Sequence, residues 1–372
     1  MLYRDYGKTG KQVSAIGFGA MRFPNVADEE AMAALVLAAF EKGVNYFDTA
    51  PGYCQDKSEI IVGKAVSEMK RRVGRFYVAT KSGEEEGDKV RAELERSLRR
   101  LNLEAIDFFH CWCVLSMEDW ALRKAKGAVS AMLKARDEGL IRHACVSTHL
   151  AGEDIGRVLG EGCFEGVTLG YSAVNFPYRQ LGIEAARKLG LGVVIMNPLG
   201  GGLIPKHQRF GFIRREGDPS TVGSALRFVL STPGVTSALV GFAKPGQIAE
   251  AVSAVEPFKP LAGAEMDAIR KGVEAKFDKL CTLCRYCDVC EQQVPAYQFM
   301  SAYNYLVLEG TDKELKGQLK WHWGIEDVLA TLEKCTRCGN CAAECTQKLP
   351  VVERLEEIVR IYQAEKAKAQ PK

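Results

Sequence analysis

The sequence lacks the features that would place it in a membrane or on nucleic acid. It has no apolar run of the roughly 18 residues that a membrane-spanning helix needs, and its formal net charge is only +3 over 372 residues. Proteins that bind polyanions carry a concentrated excess of Lys and Arg, so we expect neither nucleic acid nor a membrane as partner. The polar N-terminus, MLYRDYGKTGKQ, predicts no signal peptide and a cytoplasmic location.

Cysteine is sparse in most of the chain and concentrated near its end. Of 13 cysteines, five are scattered over the first 280 residues and eight lie in the last 92. Cytoplasmic thiols stay reduced, so these cysteines favour metal binding or catalysis over disulfides. The change in composition predicts two domains, residues 1–262 and 263–372.

Short apolar runs recur along the first domain, and amphipathic stretches such as 29–43 and 88–102 separate them. The predicted strands are 15–20, 45–50, 76–81, 106–112, 143–148, 166–172, 192–198 and 236–242. Eight β/α units in about 250 residues predict an α/β fold of the (β/α)8 TIM-barrel type. An open doubly wound sheet is the alternative, but GFGAMR (17–22) lacks the third glycine of the dinucleotide fingerprint. The residues before 15 predict a hairpin that closes the bottom of the barrel.

Barrel enzymes place their chemistry where the strands end, and several reactive side chains fall at such positions. Asp48 and Tyr53 follow the second predicted strand, Lys81 ends the third, and His110 and Trp112 lie on the fourth. A tyrosine is a weak acid at neutral pH, and a buried ammonium beside it would lower its pKa. A buried ammonium such as that of Lys81 stays charged only if a carboxylate lies beside it, and Asp48 is placed to supply one. Singly, these residues could be a turn cap, a solvated lysine and a rim aromatic; together they favour an Asp48-Lys81-Tyr53 relay.

Four motifs resemble the aldo-keto reductase superfamily over roughly residues 1–260. They are FDTAPGY (47–53), Ser58-Glu59, VATKSG (78–83) and PLGGGL (198–203). The resemblance implies NAD(P)H-dependent reduction of a small aldehyde or ketone. In that reaction Tyr53 would be the proton donor, Lys81 and Asp48 would tune it, and nicotinamide would deliver hydride.

The chain departs from that family's pattern at several contacts. The family's fourth strand usually reads D-x-x-x-x-H, and counting from Asp107 places Trp112 at the histidine position. His110 shares a strand face with Trp112, so it either touches the substrate or fills the core. The family's glutamine and its ring-stacking tyrosine fall on Thr168 and Met196. These departures keep open a second hypothesis, an electron-transfer subunit whose barrel has lost reductase activity.

The cofactor contacts implied by the resemblance are partly matched. Ser147 and Thr148 stand where the family holds the carboxamide. The loops NPLGGGLIPK (197–206) and GFAKPGQ (241–247) follow strands seven and eight, where barrels commonly bind phosphate. Their glycines either allow an anion to approach the backbone closely or are needed only because the loops require a positive φ. The candidate phosphate contacts are Gly200, Gly201, Gly241 and Lys244.

Two cysteine motifs, CTLCRYCDVC (281–290) and CTRCGNCAAEC (335–345), supply eight thiols, which is the number that two [4Fe–4S] clusters require. In C-x2-C-x2-C spacing, three cysteines wrap one cluster and the fourth reaches the other. One cluster is therefore assigned Cys281, Cys284, Cys287 and Cys345, and the other Cys335, Cys338, Cys341 and Cys290. Neither motif has the usual proline after its last cysteine, and the first has a shortened final spacing. Two zinc ions are the competing interpretation.

The stretches between and after these motifs have helical patterns, which predicts a small, mostly helical ferredoxin-like domain. The whole chain most resembles a branch of aldo-keto-reductase-like proteins with such a tail. Hydride transfer moves two electrons and a cluster moves one, so the combination calls for a converter such as a flavin, or for clusters that serve structure or a redox partner protein. A plain reductase with a zinc-bound tail is a third hypothesis.

Overall fold

A computed structural model of the chain describes residues 1–218, 220–274 and 279–369, without the side chains of residues 178 and 366–369. The chain divides into two compact units, Met1–Arg270 and Lys271–Lys372. Within the described ranges, no helix is both long and apolar enough to cross a lipid bilayer.

The first unit contains eight parallel strands that close into a barrel. Each pairs with the next along the chain, and the last strand pairs with both the one before it and the first. The strands are β3 (Ile16–Gly19), β4 (Tyr46–Asp48), β5 (Tyr77–Ser82), β6 (Ile106–Val114), β7 (Ile141–Thr148), β8 (Gly166–Gly170), β9 (Gly192–Met196) and β10 (Ser237–Val240). Each overlaps its predicted strand, so the (β/α)8 barrel is confirmed and the open sheet is excluded.

Helices connect the strands and cover the outside of the barrel. They are α1 (Glu29–Glu41), α2 (Tyr53–Asp56), α3 (Ser58–Met69), α4 (Gly87–Leu101), α5 (Met117–Ala125), α6 (Ala128–Asp137), α7 (Gly152–Gly160), α8 (Gln180–Leu189), α9 (Leu203–Lys206), α10 (Thr221–Ser231), α11 (Pro245–Ser253) and α12 (Gly263–Glu274). The Asp28 side chain caps α1 by accepting from the Ala31 amide at 3.0 Å. Short 3-10 turns occur at Phe176–Tyr178, Gly200–Gly202 and Gln208–Ile213.

A hairpin precedes the barrel, as predicted. Its strands β1 (Tyr3–Asp5) and β2 (Gln12–Ser14) are antiparallel. The completely buried Tyr6 ring packs 4.1 Å from the Phe108 ring. A Cβ on Gly166 or Gly192, the first residues of β8 and β9, would lie within 2.5 Å of Tyr6 atoms. These glycines therefore make room for the tyrosine that fills the barrel at its amino-terminal end.

The second unit is mostly helical. Its helices are α13 (Ala296–Glu309), α14 (Asp312–Gly317), α15 (Val328–Glu333), α16 (Asn340–Ala343) and α17 (Val351–Ala369), with a π-helical turn at Gln318–His322. Cys281, Cys287 and Cys345 are buried within its apolar core.

The predicted domain boundary is 262/263, and the compact units of the structure are Met1–Arg270 and Lys271–Lys372. Helix α12 does begin at residue 263. Its Arg270 guanidinium lies 5.5 Å from the Phe176 ring and 5.9 Å from the Phe228 ring, both in the first unit. These cation–π contacts explain why the first two turns of the helix belong to the barrel unit.

Candidate functional site

The predicted lysine and aspartate meet as a buried ion pair at the carboxyl ends of two adjacent strands. Lys81 Nζ donates to Asp48 Oδ1 at 2.7 Å and to the Thr49 carbonyl at 2.6 Å. The two side chains are only 2% and 6% exposed. Burial raises the pKa of Asp48, while the neighbouring ammonium opposes that rise. The strand ladder thus places a fixed charge pair at the mouth of the barrel.

Tyr53 lies beside this pair and is half-buried. Lys81 Nζ is 5.2 Å from the centroid of its ring. Burial and the negative charge of Asp48 raise the pKa of Tyr53 well above its ordinary value, and the strongest opposing influence comes from Arg22. This corrects the expectation that Lys81 lowers the pKa of Tyr53. The ammonium is committed to Asp48, so the phenol stays protonated and can act as a proton donor.

The chain leaves Tyr53 through a left-handed turn. Cys54, Gln55 and Asp56 have φ of 55°, 57° and 66°, a conformation that costs L-residues about 1–2 kcal/mol each. Arg100 Nη1 and Nη2 both donate to the Asp56 carboxylate at 2.7 Å, and the Gly52 amide donates to it at 3.0 Å. These bonds hold the turn that carries the tyrosine.

Sequence reasoning missed the Asp56–Arg100 clamp, because the two residues are 44 positions apart. The sequence carries no spacing signal for that contact. Arg22, the last residue of GFGAMR (17–22), carries no sequence signal for its place near Tyr53 either. Its exposed guanidinium donates to the Gly201 carbonyl at 3.4 Å and acts electrostatically on Tyr53.

His110 is completely buried. Its Nε2 is 3.0 Å from the Thr168 hydroxyl, and its Nδ1 is 3.4 Å from the Thr80 carbonyl. Burial and the charge of Lys81 lower the pKa of His110 to about 3, so the imidazole is neutral. Of the two predicted roles the structure therefore favours the core: both nitrogens face protein atoms, and Thr168, the residue at the family's glutamine position, is one partner.

Trp112 instead lies next to the tyrosine. Its ring meets the Tyr53 ring edge-on at 5.5 Å between centroids. Pairing of β6 with β7 is irregular between Cys111 and Val114, and Cys113 has a φ of 60°. Such bulges re-aim side chains at strand ends. Trp112 thus packs against the Tyr53 ring, at the position expected for the family histidine.

Ser147 and Thr148 end β7 and are both buried. The Thr148 hydroxyl donates to the Val114 carbonyl at 2.9 Å and accepts from the Leu150 amide at 3.0 Å. This threonine therefore has a structural task in the turn, and it orients the segment that carries Ser147.

The two glycine loops differ in their backbone. Gly200 and Gly201 have φ of 62° and 70°, and a Cβ on Gly200 would lie 2.8 Å from Val174 Cγ2. Gly200 thus has the positive φ considered from sequence, and its close approach in the structure is to the Val174 side chain. In the other loop Gly241 is exposed, and the exposed Lys244 immediately precedes α11. The Gln247 side chain accepts from the Ala243 amide at 2.7 Å, which orders this loop at a helix N-terminus suited to anions.

The eight clustered cysteines occupy two groups in the second unit. Burial raises the pKa of Cys281 to about 12, and the charges of Cys284 and Cys345 add to the rise. The pKa of Cys287 is raised by burial and by the charges of Cys281, Cys284 and Cys345, with a smaller contribution from Cys341. We call Cys281, Cys284, Cys287 and Cys345 the first thiol group.

The remaining cysteines form the second thiol group, which consists of Cys290, Cys335, Cys338 and Cys341. The pKa of Cys341 is raised by burial and by the charges of the other three. All four line one pocket, together with Arg337, Val294 and other residues of the unit. The assignment of these cysteines to two clusters stays a prediction.

Among the described residues, no three His, Cys, Asp or Glu side chains are arranged to hold a metal ion. A zinc ion draws its four ligands to about 2.3 Å from one centre, whereas the thiols of a cubane surround a much larger body. Two grouped sets of four thiols, one of them lining a pocket, fit the larger body better. The residues therefore suit iron–sulfur clusters more than single ions.

Comparison with known proteins agrees with the barrel. The model of the "Aldo/keto reductase family" matches residues 15–274. L-galactose dehydrogenase of Arabidopsis thaliana is 29% identical over 294 residues, covering 69% of this chain and 89% of the relative. An uncharacterized oxidoreductase of Bacillus subtilis, YrpG, is 26% identical over 304 residues, covering 69% and 91%.

A solved structure shares the fold. The holo form of aldo-keto reductase AKR11C1 from Bacillus halodurans is 23% identical, with a TM-score of 0.63 over 73% of this chain and 96% of that one. The barrel, the site at its carboxyl end and the match over residues 15–274 lead to one conclusion. The chain belongs to the aldo/keto reductase family and is an oxidoreductase of that type.

Proposed function

We propose that the protein is a nicotinamide-dependent reductase of a small carbonyl compound, with Tyr53 as proton donor, joined to a unit that carries two [4Fe–4S] clusters. The convergence of Tyr53 with the buried Lys81–Asp48 pair carries the first part. The grouping of eight thiols into two sets of four carries the second.

The side chains of the barrel have separable roles in this reaction. Nicotinamide, when bound, supplies a hydride to the carbonyl carbon. Tyr53 donates its phenolic proton to the carbonyl oxygen, which gives the alcohol. The raised pKa of Tyr53 keeps that proton available at neutral pH. Lys81 and Asp48 hold a charge pair beneath the ring and supply a cation when negative charge develops on the phenol.

The cofactor contacts extend the proposal along the loops after β9 and β10. Gly200 and Gly201, which have positive φ, would let the backbone approach the diphosphate, and Gly241 and Lys244 would meet phosphate at the start of α11. Ser147 would contact the carboxamide. Trp112 would face the substrate where the family has histidine, so we expect a substrate preference that differs from the family pattern.

Turnover measurements test the barrel chemistry. NADPH and NADH are assayed with a panel of aldehydes, ketones and aldoses, the last because one relative is a sugar dehydrogenase. Tyr53→Phe should lower kcat by roughly 10²–10⁴-fold, the range for lost acid catalysis. The matched control is Tyr3→Phe, which removes an exposed phenol bonded to the Gly43 carbonyl and should retain activity. Full activity of the Tyr53 variant would refute the role.

Anaerobic purification tests the clusters. Iron, acid-labile sulfide, zinc and bound nicotinamide or flavin are measured on the full chain. Iron and sulfide in the ratio of two cubanes support the proposal, while stoichiometric zinc without iron supports the zinc-bound tail. The clusters, when bound, supply one-electron transfer to or from a redox partner protein, and a bound flavin would identify the converter.

An electron-transfer subunit with an inactive barrel is not favoured. The family match covers the barrel, and the relatives that it resembles are named as a dehydrogenase and an oxidoreductase. The buried pair beside Tyr53 is also intact.

A further inference from the structure

The two thiol groups differ in their surroundings. In the first, Cys281, Cys287 and Cys345 are buried and only Cys284 is partly accessible. In the second, no thiol is buried and Cys338 is exposed. A cluster held by the first group would therefore lie in the less polar environment, where an added negative charge is more costly.

A buried arginine lies beside the first group. Arg354, on α17, is 5% exposed. Its Nη2 donates to the Lys279 carbonyl at 2.8 Å, and its guanidinium lies 4.5 Å from the Tyr303 ring. Its Nη1 is buried and makes no hydrogen bond within the part of the chain that the structure describes. No carboxylate pairs with it at ion-pair distance in those described ranges.

A buried cation without a carboxylate is costly unless another anion compensates it. Burial, the largest effect, lowers the pKa of Arg354, while the charges of Tyr303, Cys281 and Cys345 raise it. The hydrogen bond from Arg354 Nη2 to the Lys279 carbonyl, two residues before Cys281, places the guanidinium next to the segment that begins the first thiol group.

Hydrogen bonds to the sulfurs of the first group, like the charge of Arg354, stabilise negative charge on a bound cluster. The Leu283 amide donates to Cys281 Sγ and the Leu349 amide to Cys345 Sγ, each at 3.4 Å. The Thr346 hydroxyl lies 3.2 Å from Cys284 Sγ. Net charge, hydrogen bonds to the sulfurs and solvent exposure set the potential of a cluster. Reduction adds one negative charge, and a fixed neighbouring cation favours the reduced state.

We propose that Arg354 is a positioning residue that raises the reduction potential of the cluster bound by the first thiol group, offsetting the burial of that cluster. The inference rests on the proposed iron–sulfur function. The reduction potential of the first cluster would then depend on a buried cation, and that of the second on its exposure to solvent.

A redox titration of the full, anaerobically purified protein, followed by electron paramagnetic resonance, measures both potentials. In Arg354→Gln one potential should fall, with about a tenfold change in the reduced-to-oxidised ratio at fixed potential, equivalent to about 59 mV for one electron. Arg354→Lys keeps the charge and should stay close to the original value. The matched control is Arg360→Gln, an exposed arginine on the same helix. It should leave both potentials unchanged.

A second variant keeps the arginine in place. Glu357 accepts from the Tyr303 hydroxyl at 2.6 Å and acts electrostatically on Arg354. Glu357→Gln removes a negative charge and should raise the reduction potential of the cluster bound by the first thiol group, by a smaller amount than Arg354→Gln lowers it. This variant decides the question if Arg354→Gln fails to bind iron.

The outcomes separate the two proposals. A wild-type protein without iron refutes the proposed clusters. If wild type and Arg354→Gln carry equal iron and sulfide and share both potentials, the clusters stand and the role of Arg354 is overturned. A potential that does not rise in Glu357→Gln, when Arg354→Gln binds no iron, overturns it as well.

Discussion

The barrel and the cysteine-rich unit assemble reactive groups in opposite ways. Lys81 and Asp48 are 33 residues apart and meet because adjacent parallel strands bring their ends together. In the second unit, three thiols of each group come from one short motif. The charges of the barrel site neutralise each other, whereas buried Cys281, Cys287 and Cys345 form part of the apolar core itself. The first site pairs its charges within the protein, whereas the proposed role of the second depends on what the thiols bind.

The largest expected effect is loss of structure in the second unit alone. Removing the iron of the proposed clusters with a chelator should abolish amide protection over 279–369, because metal binding and folding are coupled in small metal-binding units. Hydrogen exchange followed by mass spectrometry measures this, with the strands of the barrel as internal control.

Cys287→Ser should produce the same loss, and Cys163→Ser, a half-buried cysteine of the first unit, should not. Equal protection of the second unit with and without iron would break the comparison between the two regions.

Next in size is the effect of Lys81→Met on the barrel. Asp48 would stay buried without its cation, which costs about 3–5 kcal/mol in similar cases. Activity should fall by roughly 10²-fold or more, since the proton donor loses its charged neighbour. Denaturant unfolding and turnover measure the two effects. In the control, Lys64→Met removes a surface ion pair with Glu30 and should change stability by less than about 1 kcal/mol.

A smaller effect is expected at the turn after Tyr53. Arg100→Met removes both hydrogen bonds to Asp56, so the left-handed turn should relax and the phenol should lose its orientation. We expect a loss of about 1–2 kcal/mol in stability and a fall in kcat with little change in KM. Arg99→Met, an exposed neighbour on the same helix, is the matched control. If both variants behave alike, the clamp does not position Tyr53.

The smallest effect is the pH dependence of the same clamp. The hydrogen bonds from Arg100 lower the pKa of Asp56 from 3.8 to about 2. A carboxyl with a lower pKa in the folded state contributes stability above its unfolded pKa and loses it as pH falls. The difference in unfolding free energy between wild type and Arg100→Met should therefore be constant at neutral pH and shrink as pH falls from 3.8 towards 2. Because Asp56 is 44% exposed, solvent screening keeps this contribution below about 1 kcal/mol.

Short-range pattern accounts for much of what could be predicted. All eight barrel strands follow from apolar runs, because a buried parallel strand is apolar on both faces. The helices α1 and α4 lie within one or two residues of their predicted bounds. The predicted division of the thiols rests on motif spacing, because three cysteines at intervals of three residues can reach one common neighbour. These inferences need little knowledge of distant residues.

Other features depend on contacts between residues that are distant in sequence, which residue spacing does not predict. His110 and Trp112 share a strand face, yet the bulge beyond Cys111 and the hydrogen bond to Thr168 place the histidine in the core and the tryptophan beside Tyr53. The pKa of Tyr53 rises instead of falling, because burial and the nearby charge of Asp48 both disfavour the phenolate.

The sequence by itself therefore determined the barrel, the family and the two sets of cysteines, since each rests on local hydrophobicity or short spacing. Only the tertiary structure decided which side chains face the phenol, which charge is cancelled and which arginine lies beside the buried thiols. Electrostatic energies depend on burial and on distances of a few ångströms between residues far apart in sequence, and folding alone sets those distances.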